Sequence, residues 1–181
     1  MFIWSGINIE AQLPELKSKK AEIEEKLGIT DTVVNLPLHV SLRISSQIAD
    51  EISPRLIDAI LEFYKTLDPV ELFTDGIERE GNIIWLRFKG NDEIDSIHHR
   101  LCALMKERFD IPIHPFDLKF KYHTTLFLGI SDDKLAAAYD MVKSVTIPKS
   151  VILNRPVIGA SENGLAGTYK IIHTVDIRRL R

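Results

Sequence analysis

Two stretches of the chain alternate between apolar and polar residues, which is the pattern of a strand with one buried face. They predict strands over Leu36–Ser45 and Leu118–Leu128. Because residues i and i+2 of a strand point to the same side, each stretch should carry an imidazole beside a hydroxyl on its polar face. The two pairs are His39 with Ser41 and His123 with Thr125.

Periodic patterns elsewhere predict a chain of mixed helices and strands without a flexible linker. Apolar residues at helical spacing predict four helices, which cover Leu13–Leu27, Ser53–Leu67, Asp92–Phe109 and a segment after Ser131. Shorter alternating or β-branched runs predict five further strands. These are Phe2–Ile9, Val70–Glu78, Ile83–Lys89, Val151–Ile158 and Thr168–Ile177.

The second half of the chain repeats the order of the first: helix, motif strand, helix, strand, strand. The order predicts a duplicated α+β fold in which residues 1–181 form a single domain of two pseudo-symmetric lobes, approximately 1–90 and 91–181. Each lobe should be an antiparallel sheet with helices packed outside. An approximate two-fold axis would then face the motif strands across a cleft, a common place for a ligand site.

Composition narrows the class of protein. A hydrophobic fraction of 45% and a charged fraction of 27% are ordinary for a soluble globular chain. The net charge of −3 argues against a broad nucleic-acid-binding surface but allows a small basic pocket. Cys102 is the single cysteine, Met1–Ile9 lacks the basic start of a signal peptide, and no apolar run approaches ~20 residues. We therefore expect a cytoplasmic protein that does not bind membranes.

Four more residues are candidates for substrate binding. Arg43 and Lys121 share the polar faces of the motif strands, where cations suit an anionic ligand, although solvated residues on a sheet face are an equal alternative. Phe127 and Tyr169 are candidates for stacking on a base. Aromatic residues in strands are more often part of the core, so that alternative stays open for both.

The remaining residues with reactive or aromatic side chains receive structural interpretations. Trp85 and Phe88 are assigned to core or lobe packing. His98 and His99 each lie about one helical turn from Cys102, but the sequence offers no third ligand at a matching spacing, so no metal site is predicted. A basic tail at the end of the chain is expected to be exposed. It consists of Arg178, Arg179 and Arg181.

The paired motifs resemble those of the 2H phosphoesterase superfamily, which includes bacterial 2′-5′ RNA ligase-like proteins and cyclic nucleotide phosphodiesterases. The first, residues 36–42, reads Leu-Pro-Leu-His-Val-Ser-Leu, and the second, residues 120–126, reads Phe-Lys-Tyr-His-Thr-Thr-Leu. Tyr122 stands where many members carry a proline before the second histidine. The resemblance covers nearly the whole chain in architecture but only these motifs in residues.

The resemblance implies a phosphoesterase that needs no metal or cofactor. Its substrates would be RNA ends or small nucleotides with a 2′,3′-cyclic phosphate, which family habit opens to a 2′-phosphate. His39 and His123 would act as acid and base in opposite protonation states, with neither role assigned. Ser41 and Thr125 would donate hydrogen bonds to the phosphate oxygens.

Two other functions fit the same motifs. One is the joining of RNA ends through 2′-5′ linkages, which uses the same groups in the reverse direction. The other is a nucleotide- or RNA-binding module that kept the pocket and lost turnover. The residues alone do not separate these functions from hydrolysis.

Overall fold

The computed structural model describes residues 1–29, 36–165 and 167–177. None of the helices in these ranges is long and apolar enough to cross a membrane. The described strands are β1 Phe2–Asn8, β2 His39–Gln47, β3 Val70–Glu80, β4 Ile83–Phe88, β5 His123–Leu128, β6 Ser150–Leu153, β7 Pro156–Ser161 and β8 Lys170–Thr174. The α-helices are α1 Pro14–Lys26, α2 Ser53–Lys65, α3 Asp92–Phe109 and α4 Asp132–Val142, and 3-10 helices cover Glu10–Gln12 and Pro115–Lys119.

The strands form two four-stranded antiparallel sheets, ordered β2-β1-β7-β8 and β5-β4-β3-β6. This arrangement confirms the expected α+β fold with two sheets. The expected lobes 1–90 and 91–181 do not coincide with the sheets, because each sheet takes two strands from each half. The predicted strand Val151–Ile158 is in fact two strands, β6 and β7, which pair with β3 and β1 and so carry the chain between the sheets.

The helices interlock the two sheets. Helix α1 precedes β2 in sequence but packs with α4 against the second sheet, where the Lys20 ammonium lies 5.6 Å from the centre of the Phe127 ring. Helix α3 precedes β5 but packs on β2 of the first sheet. Apolar side chains from both sheets and all four α-helices accordingly join in one buried core.

The predicted strand Leu118–Leu128 is wrong over its first five residues. Strand β5 begins only at His123, and the 3-10 helix Pro115–Lys119 precedes it. Pro115 suits the start of a helix because it lacks a backbone N–H. The side chains of His114 and Asp117 also form a reciprocal capping box that closes this turn.

A β-bulge follows the hydroxyl residue in each motif strand. The extra residue is Leu42 in β2 and Leu126 in β5, and the pairing with β1 and β4 shifts by one at these points. A bulge reverses the alternation of the strand, so that two consecutive residues turn to the same side. Arg43 and Phe127 consequently point into the protein and are 1% and 2% exposed.

Candidate active site

The two motif strands are edge strands of different sheets, and they lie beside each other. The backbone N–H of His39 in β2 donates a hydrogen bond to Oγ1 of Thr124 in β5, over 3.1 Å. Thr124 is buried, so this bond lies inside the junction between the sheets. The fold therefore brings the first residues of both strands, the two motif histidines, to one place.

Both histidine rings are held by the same local hydrogen bond. Nδ1 of His39 lies 2.7 Å from the carbonyl oxygen of Pro37, and Nδ1 of His123 lies 2.7 Å from that of Lys121. A carbonyl oxygen only accepts, so Nδ1 is the donor in each ring. The neutral ring then carries its lone pair on Nε2, which can take a proton from a substrate.

The surroundings of the two imidazoles disfavour their charged forms. Burial and, to a lesser extent, the charge of His123 outweigh the raising effect of the Pro37 carbonyl and together lower the pKa of His39 to about 4. Burial also lowers the pKa of His123, and the cations Arg87 and Lys121 contribute to the lowering. The electrostatic influence of His123 on His39 indicates that the two rings lie close enough to interact.

The motif hydroxyls lie on the same strand faces as the histidines and are half-buried. Oγ of Ser41 accepts a hydrogen bond from the indole nitrogen of Trp4 over 3.0 Å. Thr125 stands opposite Trp85 in the pairing of β5 with β4. Both hydroxyls carry a hydrogen that can be donated to an anion.

Both tryptophans of the chain contact a motif histidine, which the sequence analysis missed. The ring of Trp4 lies 4.3 Å from that of His39 at 67°, and the ring of Trp85 lies 4.6 Å from that of His123 at 48°. Trp85 is buried as predicted, but it packs at the site and not only in the core. A signal was available, since the tryptophans are separated by almost the same interval as the histidines.

Two cations lie near the second histidine, and each is paired with a glutamate. Arg87, which sequence reasoning missed, stands opposite His123 in the sheet, and its Nη1 donates to Glu78 Oε2 over 3.1 Å. Lys121 is exposed, and its Nζ lies within 3.3 Å of both carboxylate oxygens of Glu80. A signal for Arg87 was present in the sequence. Alternation along β4 places residues 85 and 87 on the same face of the strand, so Arg87 lies on the side of Trp85.

Arg43 does not share the exposed face of His39, contrary to expectation. Its guanidinium forms a buried ion pair with Asp117 and donates to the carbonyl oxygens of Pro112 and Ile44 over 2.8 and 3.1 Å. These contacts fasten β2 to the 3-10 helix that precedes the second motif. The bulge at Leu42 is the reason, because it turns Arg43 away from the face of His39.

The two aromatic candidates have different outcomes. Phe127 is buried in the core beneath α1, so its expected role in base stacking is wrong. Tyr169 is half-buried just before β8, and its hydroxyl lies 2.5 Å from Ser45 Oγ on β2. Stacking by Tyr169 stays a prediction. The basic tail Arg178, Arg179 and Arg181 lies outside the described residues.

The fold brings Asp117 next to His98 and Cys102 as a third potential metal ligand. The ligand atoms of the three residues lie within 4.8 Å of one another. Both nitrogens of His98 face carbonyl oxygens, Nδ1 that of Leu42 at 2.7 Å and Nε2 that of Asp117 at 3.0 Å. Burial lowers the pKa of His98, but Cys102 and the two carbonyls together raise it to about 9. A doubly protonated ring satisfies both carbonyls, and the Asp117 carboxylate is taken by Arg43, so the cluster forms a charged structural network under β2.

No protein-family model and no curated protein sequence matches this chain. Solved structures do match. Escherichia coli LigT complexed with 3′-AMP is 16% identical, with a TM-score of 0.58 and 98% of each chain covered. This chain has the LigT fold.

Two further structures share the LigT fold with this chain. TT0787 of Thermus thermophilus is 15% identical over the whole of both chains, with a TM-score of 0.61. A protein described as a phosphoesterase is 14% identical, with a TM-score of 0.57, over 98% of this chain and 99% of that one. LigT itself has also been crystallised with NADP+, phosphate and ATP. These matches confirm the fold that the motif resemblance implied.

Proposed function

We propose that this protein is a phosphoesterase that opens 2′,3′-cyclic phosphates of RNA ends or small nucleotides by acid–base catalysis with His39 and His123. One observation carries the proposal: both rings direct Nδ1 to a backbone carbonyl, which frees Nε2 of each ring for a substrate between adjacent strands. The LigT fold supports a nucleotide ligand, since LigT binds 3′-AMP and phosphate in its crystals.

We infer the two catalytic roles from the electrostatics of the two imidazoles. The reaction needs one neutral and one protonated imidazole at the same time. His39, whose pKa is lowered to about 4, stays neutral over the range in which a second imidazole can carry a proton. His39 is therefore the base and His123 the acid, with the anionic substrate favouring the proton on His123.

The proposed step is an in-line displacement at phosphorus. Nε2 of His39 takes a proton from water as the water oxygen bonds to phosphorus, and Nε2–H of His123 gives its proton to the ribose oxygen whose bond to phosphorus breaks. The family resemblance implies cleavage of the bond to O3′, which leaves a 2′-phosphate. Ser41 and Thr125 donate to the non-bridging oxygens, where charge develops. A 5′-hydroxyl in place of water would instead form a 2′-5′ linkage.

The experiment is hydrolysis, in EDTA, of 2′,3′-cyclic AMP and of a short RNA that ends in a cyclic phosphate. Wild type, His39→Ala, His123→Ala and His99→Ala are compared, the last because His99 is an exposed histidine on α3 that belongs to neither motif. We expect turnover in wild type and His99→Ala, and a loss of 100-fold or more, on the order of 10²–10⁴, in the other two.

The products decide between the functions. A 2′-phosphate supports the proposed direction of ring opening, and joined products from paired RNA ends would show ligation. Full activity in both motif-histidine variants would overturn the proposal. Nucleotide binding without any product would favour the binding module.

A further inference from the structure

Trp4 contacts His39 and Ser41, the two candidate site residues of the first motif. Its ring contacts the ring of His39 edge-on, and its Nε1 lies 3.0 Å from Oγ of Ser41. The pairing of β1 with β2 sets Gly6 opposite Ser41, and Trp4, two residues earlier, shares the face of Gly6. The missing side chain at residue 6 leaves the space that the indole fills.

Two glycines form the floor under this indole. A Cβ built on Gly6 would overlap Cζ2 of Trp4 and lie 2.8 Å from the Val40 carbonyl oxygen, and one on Gly159 would lie 2.6 Å from Cε3 of Trp4. Real Cβ atoms do not approach so closely, so the ring lies flat against the backbone of β1 and β7. The position of Nε1 is fixed as a result, and Trp4 is only 7% exposed.

The chemistry of the two groups fixes the direction of the hydrogen bond. An indole nitrogen only donates, so Ser41 must accept. Trp4 is the one partner of Ser41 Oγ within residues 1–29, 36–165 and 167–177. The serine keeps its own hydrogen for another acceptor, and its rotation is restricted because one lone pair is engaged.

We propose that Trp4 is a positioning residue that orients the Ser41 hydroxyl, so that its hydrogen is donated to the phosphate. The inference rests on the proposed function, in which Ser41 binds a non-bridging oxygen. Trp85 provides a comparison within the same protein. It contacts His123 in a similar way, but its buried Nε1 has no hydrogen-bond partner among the described residues.

The test is a double-mutant cycle on hydrolysis of 2′,3′-cyclic AMP with Trp4→Phe, Ser41→Ala and the double variant, beside Trp85→Phe. We expect Trp4→Phe to lower kcat by about tenfold with little change in KM, because one ordering hydrogen bond is lost. The same change should have no further effect in the Ser41→Ala background. Trp85→Phe should cost clearly less than Trp4→Phe.

The overturning results are equally specific. Losses that multiply in the double variant, or equal losses in Trp4→Phe and Trp85→Phe, would show that Trp4 does not act through Ser41. Either of these results contradicts the inference about Trp4. The proposed function still stands if the wild-type protein hydrolyses 2′,3′-cyclic AMP and His39→Ala does not. If wild type turns nothing over, the proposed function fails first.

A second measurement does not depend on activity or on the stability of Trp4→Phe. The chain has two tryptophans, so a ¹H–¹⁵N spectrum contains two indole N–H signals, and Trp85→Phe identifies that of Trp4. We expect Ser41→Ala to move the Trp4 signal and Thr125→Ala to leave it in place. An unmoved Trp4 signal in Ser41→Ala would rule out the hydrogen bond.

Discussion

His39 and Thr124 join the two sheets through a partly buried hydrogen bond, in which the backbone N–H of His39 donates to Oγ1 of Thr124 over 3.1 Å. The bond runs from the first residue of one motif strand to the second residue of the other. The bond therefore fixes the distance between the backbones of the two motif histidines. The side chain of Thr124 lies on the inner face of β5, beside the residues of the site and not among them.

Thr124→Val tests this link with almost no change in side-chain shape. The backbone N–H of His39 would lose its acceptor, which costs about 1–3 kcal/mol of unfolding free energy when the donor stays buried. We also expect kcat to fall by roughly tenfold or more, because the two imidazoles lose their fixed separation. Denaturant unfolding and steady-state hydrolysis measure the two effects.

Thr124→Ser is the matched control, since it keeps the acceptor oxygen and removes one methyl group. It should retain kcat within about twofold of wild type. Equal kcat and equal stability in the valine and serine variants would contradict a role for this bond.

Arg43→Met tests whether the arginine is structural. The substitution leaves the buried carboxylate of Asp117 without its cation, and breaking such a pair costs about 3–5 kcal/mol. We expect a large loss of unfolding free energy, measured in urea, and an unchanged KM for cyclic AMP in the folded fraction.

The double variant Arg43→Met with Asp117→Asn supplies the control. It removes the uncompensated charge, so it should recover part of the stability lost in the single variant. A stable Arg43→Met protein with a raised KM would instead return Arg43 to the substrate site.

The pH dependence of kcat/KM follows from the two lowered pKa values. One imidazole must be neutral and the other protonated, and this combination is most populated between the two pKa values of the free enzyme. That of His39 is about 4 and that of His123 lies below its usual 6.5. We therefore expect a bell-shaped profile with its optimum below about pH 6.5.

Tryptophan fluorescence can monitor the protonation of His39 in the absence of substrate. Trp85→Phe leaves Trp4 as the single indole beside His39, and a protonated imidazole quenches an indole that it contacts. Emission of this variant should fall as the pH drops through about 4. A transition near 6.5 would show that His39 has an ordinary pKa and would remove the basis for making it the base.

His98 should make stability depend on pH on the alkaline side. Its pKa is raised to about 9 in the folded protein, so folding favours the protonated form. The contribution is complete below about pH 6.5 and is lost as the pH rises through 9, and a shift of this size corresponds to about 3 kcal/mol. Urea unfolding between about pH 6 and about pH 10, which brackets this window, measures it. His98→Gln, which cannot titrate, should be less stable at neutral pH and should show a flatter profile.

Local patterns predicted much of the fold and the central part of the site. Helical and strand periodicity located most elements, and the repeated motif identified the residues that the structure places at the junction of the sheets. The pattern failed at Arg43 and Phe127, which simple alternation places on the site face. Both follow a bulge, and the extra residue of a bulge appears only when the strand is paired with its neighbour.

By itself, the sequence determined the chemical groups and their local arrangement: an imidazole and a hydroxyl two residues apart on each of two strands. Side chains alternate along a strand with a period of two, and the backbone carbonyl that each histidine contacts lies two residues before it. A short segment specifies both of these local properties. Only the tertiary structure decided which strands share a sheet, that β2 and β5 meet at their edges, and that Trp4 and Trp85 flank the histidines. These relationships join residues far apart in the chain, and they follow from the packing of one shared core, which no local pattern contains.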